Sequence, residues 1–196
     1  MNSLFQIRQI NISEIDVYEK IPMSFRVDSV FDVEIVDQGL GGYRLTERVV
    51  AEPWVKDYLA LEHTALPTWI SDFNGEGWAF FLAEDDGIPI GGATVASRTP
   101  SANMLDGRDD LAVLWDIRVN PLNQHSGVAT ALVNRVIEWS RAEGLKQLKI
   151  ETQNSNVPGC KFYASMGCEL RGIVHHAYDE NPDLKDEIMF LWWLDL

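Results

Sequence analysis

The stretch that decides the fold is Val119-Asn120-Pro121-Leu122-Asn123-Gln124-His125-Ser126-Gly127-Val128-Ala129-Thr130. Residues 111–119 form a dense apolar run, which predicts a buried central strand. Residues 127–143 carry apolar side chains at helical spacing, which predicts an amphipathic helix. A tight turn between the two would point backbone N–H groups and a helix N-terminus at one spot, which suits an anion such as a pyrophosphate. The alternative is an ordinary strand-to-helix turn.

A second informative segment follows further along the chain. It reads Glu151-Thr152-Gln153-Asn154-Ser155-Asn156-Val157-Pro158-Gly159-Cys160-Lys161-Phe162-Tyr163-Ala164-Ser165-Met166-Gly167-Cys168. A strand over residues 147–152 and a short helix over residues 157–166 are predicted on either side of its polar centre, and Gly167 stops that helix. The strand over residues 111–119, the helix over residues 127–143 and the strand over residues 147–152, in this order, predict a right-handed crossover between two parallel strands.

These two segments resemble the GNAT superfamily of N-acetyltransferases. Residues 124–129 are similar to its pyrophosphate-binding motif, Q/R-x-x-G-x-G/A, and residues 151–168 resemble its pattern of strand, Asn, short helix ending in Phe-Tyr, and Gly. Residues 114–119, 151–158 and 161–163 look most like the streptothricin acetyltransferase branch. The resemblance covers residues 75–194.

The resemblance implies a mixed α/β fold, in which helices flank a central, mostly antiparallel sheet with one splayed parallel strand pair. It implies acetyl-CoA as co-substrate. The backbone of residues 117–119 would then bind the pantetheine, the alternative being simple sheet pairing. The side chain of Asn156 would also bind the pantetheine, the alternative being a hydrogen bond to a nearby helix terminus. The implied cofactor-binding residues are Ile117, Arg118, Val119, Gln124, His125, Ser126, Gly127, Val128, Ala129, Thr130, Asn156, Phe162 and Tyr163.

Two catalytic side chains follow from the same reasoning. Tyr163 is expected to protonate the leaving thiolate, the alternative being an aromatic residue of the core. Asp116 interrupts an apolar strand, and a buried carboxylate there needs a partner. We expect it to bind or deprotonate the acceptor amine; a salt bridge to a nearby arginine is the alternative, and Glu151 is the second candidate for the carboxylate.

The remaining elements complete one predicted domain over residues 1–196. Residues 85–87, Asp-Asp-Gly, predict a hairpin turn because Gly supplies a positive φ. Residues 91–92, Gly-Gly, predict a kink or a close backbone approach. Helices are predicted over residues 13–20 and 54–66, and strands over residues 5–10, 30–36, 43–50, 78–84, 88–97, 168–178 and 187–194, of which 30–36 and 43–50 would form an arm beside the main sheet.

Charge and composition narrow the partners. The chain has 16 Lys and Arg against 30 Asp and Glu, a formal net charge of −14. An acidic surface disfavours nucleic acid and anionic lipid and favours cationic partners. Two cysteines without metal-ligand spacing predict neither a disulfide framework nor a metal site. The first residues lack the pattern of a signal peptide and no apolar run is long enough to span a bilayer, so we expect a cytoplasmic protein without a membrane partner.

The resemblance implies an N-acetyltransferase for a primary amine of a small acceptor such as a streptothricin-type antibiotic, and the acidic charge favours a cationic one. A polyamine, an amino acid or a protein N-terminus remains an alternative acceptor, and a non-catalytic acyl-CoA-binding module is the alternative of a different class. Trp192 and Trp193 alternate in a strand, so one is expected in the core and the other facing a substrate pocket or the partner of a homodimer.

Overall fold

A computed structural model describes residues 5–61 and 76–196. No helix in this part of the chain combines the length and the apolar character needed to cross a membrane. The elements, in chain order, are β1 (Gln6–Ile10), α1 (Ile15–Glu19), β2 (Ser24–Ile35), β3 (Tyr43–Asp57), β4 (Trp78–Asp85), β5 (Ile88–Ser97), β6 (Leu111–Val119), α2 (Val128–Ala142), β7 (Gln147–Gln153), α3 (Val157–Ser165), β8 (Glu169–Val174) and β9 (Met189–Asp195).

The main sheet has seven strands in the order β1-β4-β5-β6-β7-β9-β8 among the described residues. Strands β6 and β7 are parallel, whereas the other neighbours pair antiparallel. Helix α2 makes the crossover between the parallel strands, as a parallel connection requires. The predicted mixed sheet, mostly antiparallel with one parallel pair, is confirmed.

Two glycines in β5 let other elements approach the sheet on both faces. A Cβ at Gly91 would lie 2.7 Å from Val128 Cγ1 of α2, and a Cβ at Gly92 would lie 2.4 Å from Tyr18 Cε2 of α1. The close approach predicted for these glycines is confirmed. Val128 and Tyr18 are buried, so glycine at these positions allows the sheet to be covered on both sides.

Strands β2 and β3 pair as a separate two-stranded sheet, which we call the arm. The predicted helix over residues 54–66 is wrong for its first residues, because β3 continues to Asp57; residues 62–66 lie outside the described part of the chain. The pairing runs from Val27 with Trp54 to Ser29 with Val49, so residues 50–53 fall in an irregularity of the ladder. Pro53 is tolerated there because its missing N–H costs no ladder hydrogen bond.

Two other boundaries differ from the prediction. The strand expected over residues 168–178 ends at Val174, because His176 has a φ of 62° and cannot continue extended backbone. The helix expected over residues 13–20 is a 3-10 turn (Ile12–Glu14) followed by the short α1.

The two adjacent tryptophans of β9 have different surroundings. Trp192 is buried, and its Nε1 donates to Thr152 Oγ1 at 2.9 Å, so the core position predicted for one of the pair is confirmed. Trp193 is half-buried, with Lys149 Nζ 5.3 Å and Arg108 Cζ 5.9 Å from its ring. Its role at a substrate pocket or a dimer interface stays a prediction.

Candidate active site

The parallel strands β6 and β7 separate halfway along their length. Their pairing runs only from Leu111 with Gln147 to Leu114 with Ile150, although both strands continue beyond it. Opposite β5, Leu114 pairs with Val95 and Asp116 with Thr94, so Trp115 is an extra, bulged residue. A bulge bends its strand and increases the local twist, which accounts for the separation. We call the opening after Leu114 and Ile150 the divergence.

The divergence exposes one backbone edge of β6. Residues 117–119 stay paired with residues 91–93 of β5 but have no ladder partner on β7. Their backbone groups on that side are therefore available to an extended ligand, which is where the pantetheine was expected. The side chain of Arg118, by contrast, is buried on the face covered by α1 and has protein partners there.

The loop after β6 turns the chain back into α2. Asn120 Oδ1 accepts from Leu122 N at 3.0 Å, and Ser126 Oγ donates to the carbonyl of Asn123. His125 and Gly127 both have positive φ, 61° and 88°, a region that is less strained for glycine than for histidine. Gln124, His125, Ser126 and Gly127 are all exposed, so this loop faces solvent.

The first turn of α2 has free backbone donors. The first helical hydrogen bond joins the Ala131 amide to the Gly127 carbonyl at 3.0 Å, and no side chain caps the helix, so the amides of Val128, Ala129 and Thr130 have no intrahelical acceptor. A Cβ at Gly127 would meet no atom within 4 Å, so the structure is open at the residue that precedes these donors. With the positive end of the helix dipole, this geometry fits a phosphate group.

Helix α3 and its N-cap carry the remaining three predicted residues, Asn156, Phe162 and Tyr163. Asn156 is the N-cap of α3, and its Oδ1 accepts from Gly159 N at 3.0 Å. This is the helix-terminus contact that the sequence left as one alternative. The Phe162 ring lies 5.2 Å from the Tyr163 ring, centroid to centroid.

Tyr163 is buried, and its hydroxyl has no hydrogen-bond partner among the residues that the structure describes. Burial, with smaller contributions from the Cys168 thiol and the Asp116 carboxylate, raises the pKa of Tyr163 well above its usual value. The phenol therefore stays protonated at neutral pH and can donate a proton to a group that approaches it.

Asp116 is fully enclosed in an ion pair. Its Oδ2 accepts from Arg118 Nε at 2.7 Å and from the Tyr18 hydroxyl at 2.8 Å, and the side chains of both Asp116 and Arg118 are 1% exposed. The Arg118 guanidinium also lies over the Tyr18 ring, 4.9 Å from its centroid. The structure thus contains the arginine salt bridge that the sequence left as the alternative for Asp116.

A second polar group lies at the end of β7. The Tyr178 hydroxyl donates to Glu151 Oε1 at 2.6 Å, Gln153 Nε2 donates to the Tyr178 hydroxyl at 3.0 Å, and the Tyr58 hydroxyl donates to Gln153 Oε1. We call these four residues the Glu151 network. Burial raises the pKa of Glu151, despite the hydrogen bonds from Tyr178 and Gln153. Sequence reasoning found Glu151 but missed the other three.

The described residues contain two free cysteines but no cluster of metal ligands. In residues 5–61 and 76–196, no group of three His, Cys, Asp or Glu side chains comes together to hold a metal ion. Cys160 and Cys168 are unpaired and buried, and burial raises the pKa of each thiol to about 11, so both stay protonated at neutral pH.

Solved acetyltransferases share this fold. The crystal structure of nourseothricin acetyltransferase matches with a TM-score of 0.76 at 24% identity, over 98% of both chains. A Bacillus anthracis str. Ames structure in complex with acetyl coenzyme A matches with a TM-score of 0.77 at 22% identity, over 98% of this chain and 99% of that one.

Sequence comparison defines the family. Residues 45–168 match the Acetyltransferase (GNAT) family. The streptothricin acetyltransferase of Escherichia coli is 30% identical over 169 residues, which are 86% of this chain and 84% of that protein. The chain therefore belongs to the GNAT acetyltransferase family, and the predicted resemblance to this family and to its streptothricin acetyltransferases is confirmed.

We predict that Asp116→Asn destabilises the fold strongly, because it leaves the buried Arg118 without its counter-charge. Breaking a buried ion pair costs about 3–5 kcal/mol. The matched control is Asp32→Asn, which breaks a pair with Arg48 whose side chains are 52% and 57% exposed; its loss of stability should be far smaller, because solvent screens an exposed pair. Urea denaturation measures both free energies of unfolding, and equal losses would contradict the structural role of Asp116.

Proposed function

We propose that the protein transfers the acetyl group of acetyl-CoA to a primary amine of a small cationic acceptor, with a streptothricin-type antibiotic as the first candidate. The observation that carries the proposal is the uncapped first turn of α2, whose amides have no intrahelical acceptor and which follows the open edge of β6 in the chain. Two comparisons support the finer assignment: a Bacillus anthracis relative binds acetyl coenzyme A, and the Escherichia coli relative, aligned over most of its length, is a streptothricin acetyltransferase. Acetyl-CoA is available in the cytoplasm, where we expect the protein to act.

Acetyl-CoA would use the two sets of free backbone groups. The pyrophosphate would accept hydrogen bonds from the amides of residues 128–130, supported by the exposed loop from Gln124 to Gly127. The pantetheine would lie along the open edge of residues 117–119, on the way to α3. Holding amine and thioester together in this way supplies much of the rate acceleration, because the reaction becomes effectively unimolecular.

The chemistry needs two proton transfers from the acceptor nitrogen. The ammonium first loses one proton, and the neutral amine attacks the thioester carbonyl, whose oxyanion a backbone N–H of β6 can stabilise. When the C–S bond breaks, the thiolate takes a proton from the Tyr163 hydroxyl, and the second nitrogen proton balances it. An amide and a free thiol result, with one proton released overall.

The positive charge of the proposed acceptor is complementary to the negative net charge of the protein. A net charge of −14 raises the local concentration of cations and speeds their capture. Two carboxylates, Asp116 and Glu151, were candidates for contact with the amine. Asp116 is already held by Arg118 and Tyr18, so in this proposal it stabilises the position of β6. Another carboxylate of the protein must then contact the acceptor amine.

We predict that Gly127→Asp weakens acetyl-CoA binding by at least tenfold, because a carboxylate in front of the α2 amides repels the pyrophosphate; tenfold corresponds to about 1.4 kcal/mol. The matched control is Gly87→Asp, which adds the same charge at another positive-φ glycine, 80° against 88°, that also has no atom within 4 Å of a Cβ. Calorimetry with acetyl-CoA measures both. Unchanged affinity in a folded Gly127→Asp protein would remove the phosphate site.

We predict that Tyr163→Phe lowers kcat by about tenfold or more while the acetyl-CoA dissociation constant stays nearly constant, because the phenol acts when the thiolate leaves. The substitution orphans no buried partner, since the described residues give this hydroxyl none. Tyr43→Phe, on an exposed tyrosine of the arm, is the control. A loss below about threefold would indicate that water protonates the thiolate.

The acceptor class is tested with a panel of amines assayed for CoA release. We expect streptothricin to have the highest kcat/KM among streptothricin, a polyamine, a free amino acid and a peptide N-terminus. Added salt should raise KM for the cationic acceptors and leave a neutral amine nearly unaffected, because salt screens the attraction. Acetyl-CoA binding without CoA release for any amine would indicate the non-catalytic module instead.

A further inference from the structure

Glu151 is a carboxylate of the candidate site whose hydrogen bonds all fall on one oxygen and whose side chain is not fully buried. Its Oε1 accepts from the Tyr178 hydroxyl at 2.6 Å and from Gln153 Nε2 at 3.4 Å. The described part of the chain offers no partner to Oε2. The side chain is half-buried, and Oε2 is not among the buried, partnerless polar atoms of the described residues, so this second oxygen keeps contact with solvent.

Asp116 offers no comparable oxygen. Both donors fall on Oδ2, and its other oxygen, Oδ1, is buried without a partner in a side chain that is 1% exposed. An amine could reach this enclosed carboxylate only by opening the buried cluster that it forms with Tyr18 and Arg118. The cost of separating this buried pair makes that exchange unfavourable.

The charged neighbours of Glu151 are already occupied. Lys149 Nζ donates to Asp106 Oδ2 at 2.8 Å and to the Met104 carbonyl, and Lys56 forms an ion pair with Glu187. Glu151 therefore has no ion-pair partner within the described residues, and burial raises its pKa. The titratable and charged groups that act on it are Lys149 of β7, Lys56 of β3, Tyr58 just after β3, and Tyr178 from the segment between β8 and β9. Glu187 of the same segment is paired with Lys56.

The arm is fixed to the sheet next to Glu151. Asn154 follows β7 directly; its carbonyl accepts from Phe31 N at 2.9 Å, and its Nδ2 donates to the Phe31 carbonyl at 3.1 Å. The arm thus delivers Tyr58 to Gln153. The Tyr58 hydroxyl lies within electrostatic range of both Glu151 and Tyr163, so the Glu151 network and the proposed acid share one region.

We propose that Glu151 is the catalytic residue that binds the acceptor ammonium through Oε2 and accepts its proton, and that Tyr178, Gln153 and Tyr58 are positioning residues that hold Oε1. This inference rests on the proposed function. The proton passes from the ammonium nitrogen to Oε2 and then to solvent, while the second nitrogen proton balances the one that Tyr163 gives to the thiolate. A base with a raised pKa suits this step, because its proton affinity lies closer to the working pH.

The central test compares the pH dependence of kcat/KM for the wild-type protein and Glu151→Gln, with streptothricin and with spermidine as acceptors. Wild-type activity should fall as the pH drops through the pKa of Glu151, because only the carboxylate accepts a proton. Glu151→Gln should lose about 100-fold at neutral pH and recover part of the loss at high pH, where the free amine needs no base. Glu169→Gln, an exposed carboxylate of β8 paired with Arg171, is the control and should match the wild type.

Tyr178→Phe tests the positioning role. Losing the hydroxyl removes a hydrogen bond that stabilises the ionised carboxylate, so the pKa of Glu151 should rise and the acidic limb of the profile should move to higher pH. A merely structural contact would lower activity without moving the limb. This variant also keeps the inference testable if Glu151→Gln does not fold.

The outcomes separate the two proposals. Suppose that the wild-type protein acetylates an amine. If folded Glu151→Gln then keeps the wild-type rate and the acidic limb of the pH profile, or if Tyr178→Phe leaves that limb in place, the assignment of Glu151 and its network is wrong. The proposed function stands in either case. If the wild-type protein binds acetyl-CoA but acetylates neither streptothricin nor spermidine nor the other amines of the panel, the proposed function fails and takes this inference with it.

Discussion

The early end of the pairing between β6 and β7 is the constraint on which the rest of the site depends. The ladder stops at Leu114 and Ile150 because Trp115 is bulged out of register with β5. Beyond that point β6 keeps β5 as its neighbour and presents its other edge to a ligand, while β7 keeps β9 and ends in Glu151 and Gln153. One backbone irregularity thus opens the sheet between β6 and β7.

The bulged strand is held from one face by buried polar contacts. Asp116 and Arg118 flank Ile117 on β6, and Tyr18 of α1 binds the aspartate and stacks on the arginine. Tyr18 can lie so close only because Gly92 of the neighbouring strand has no Cβ. A buried ion pair contributes little net stability compared with apolar packing, so we interpret this cluster as fixing the course of β6.

The sequence predicted most of what is local. The turn from β6 to α2, the hairpin of β4 and β5, and the helix that carries Tyr163 were found because motif, strand and helix are contiguous in the chain. The helix expected after Pro53 was wrong, since a ladder irregularity that absorbs a proline leaves no local signal.

Tyr58 and Tyr178 could not be found, because they meet Gln153 and Glu151 only after the arm and the segment before β9 fold onto the end of β7. For Asp116 the sequence could state that a partner was needed but not which one. The organisation of residues 1–196 as one domain stays a prediction.

Hydrogen–deuterium exchange with and without saturating acetyl-CoA tests the central claim most directly, namely that the divergence and the first turn of α2 form the acetyl-CoA site. Residues 117–119 have no ladder partner on the side that would face the ligand. The amides of residues 128–130 have no helical acceptor, and residues 126 and 127 lie in the solvent-exposed loop. The account predicts slower exchange in peptides that cover both segments, with α1 and the tip of the arm unchanged. Saturation without slower exchange in either segment, or protection confined to another part of the protein, would contradict it.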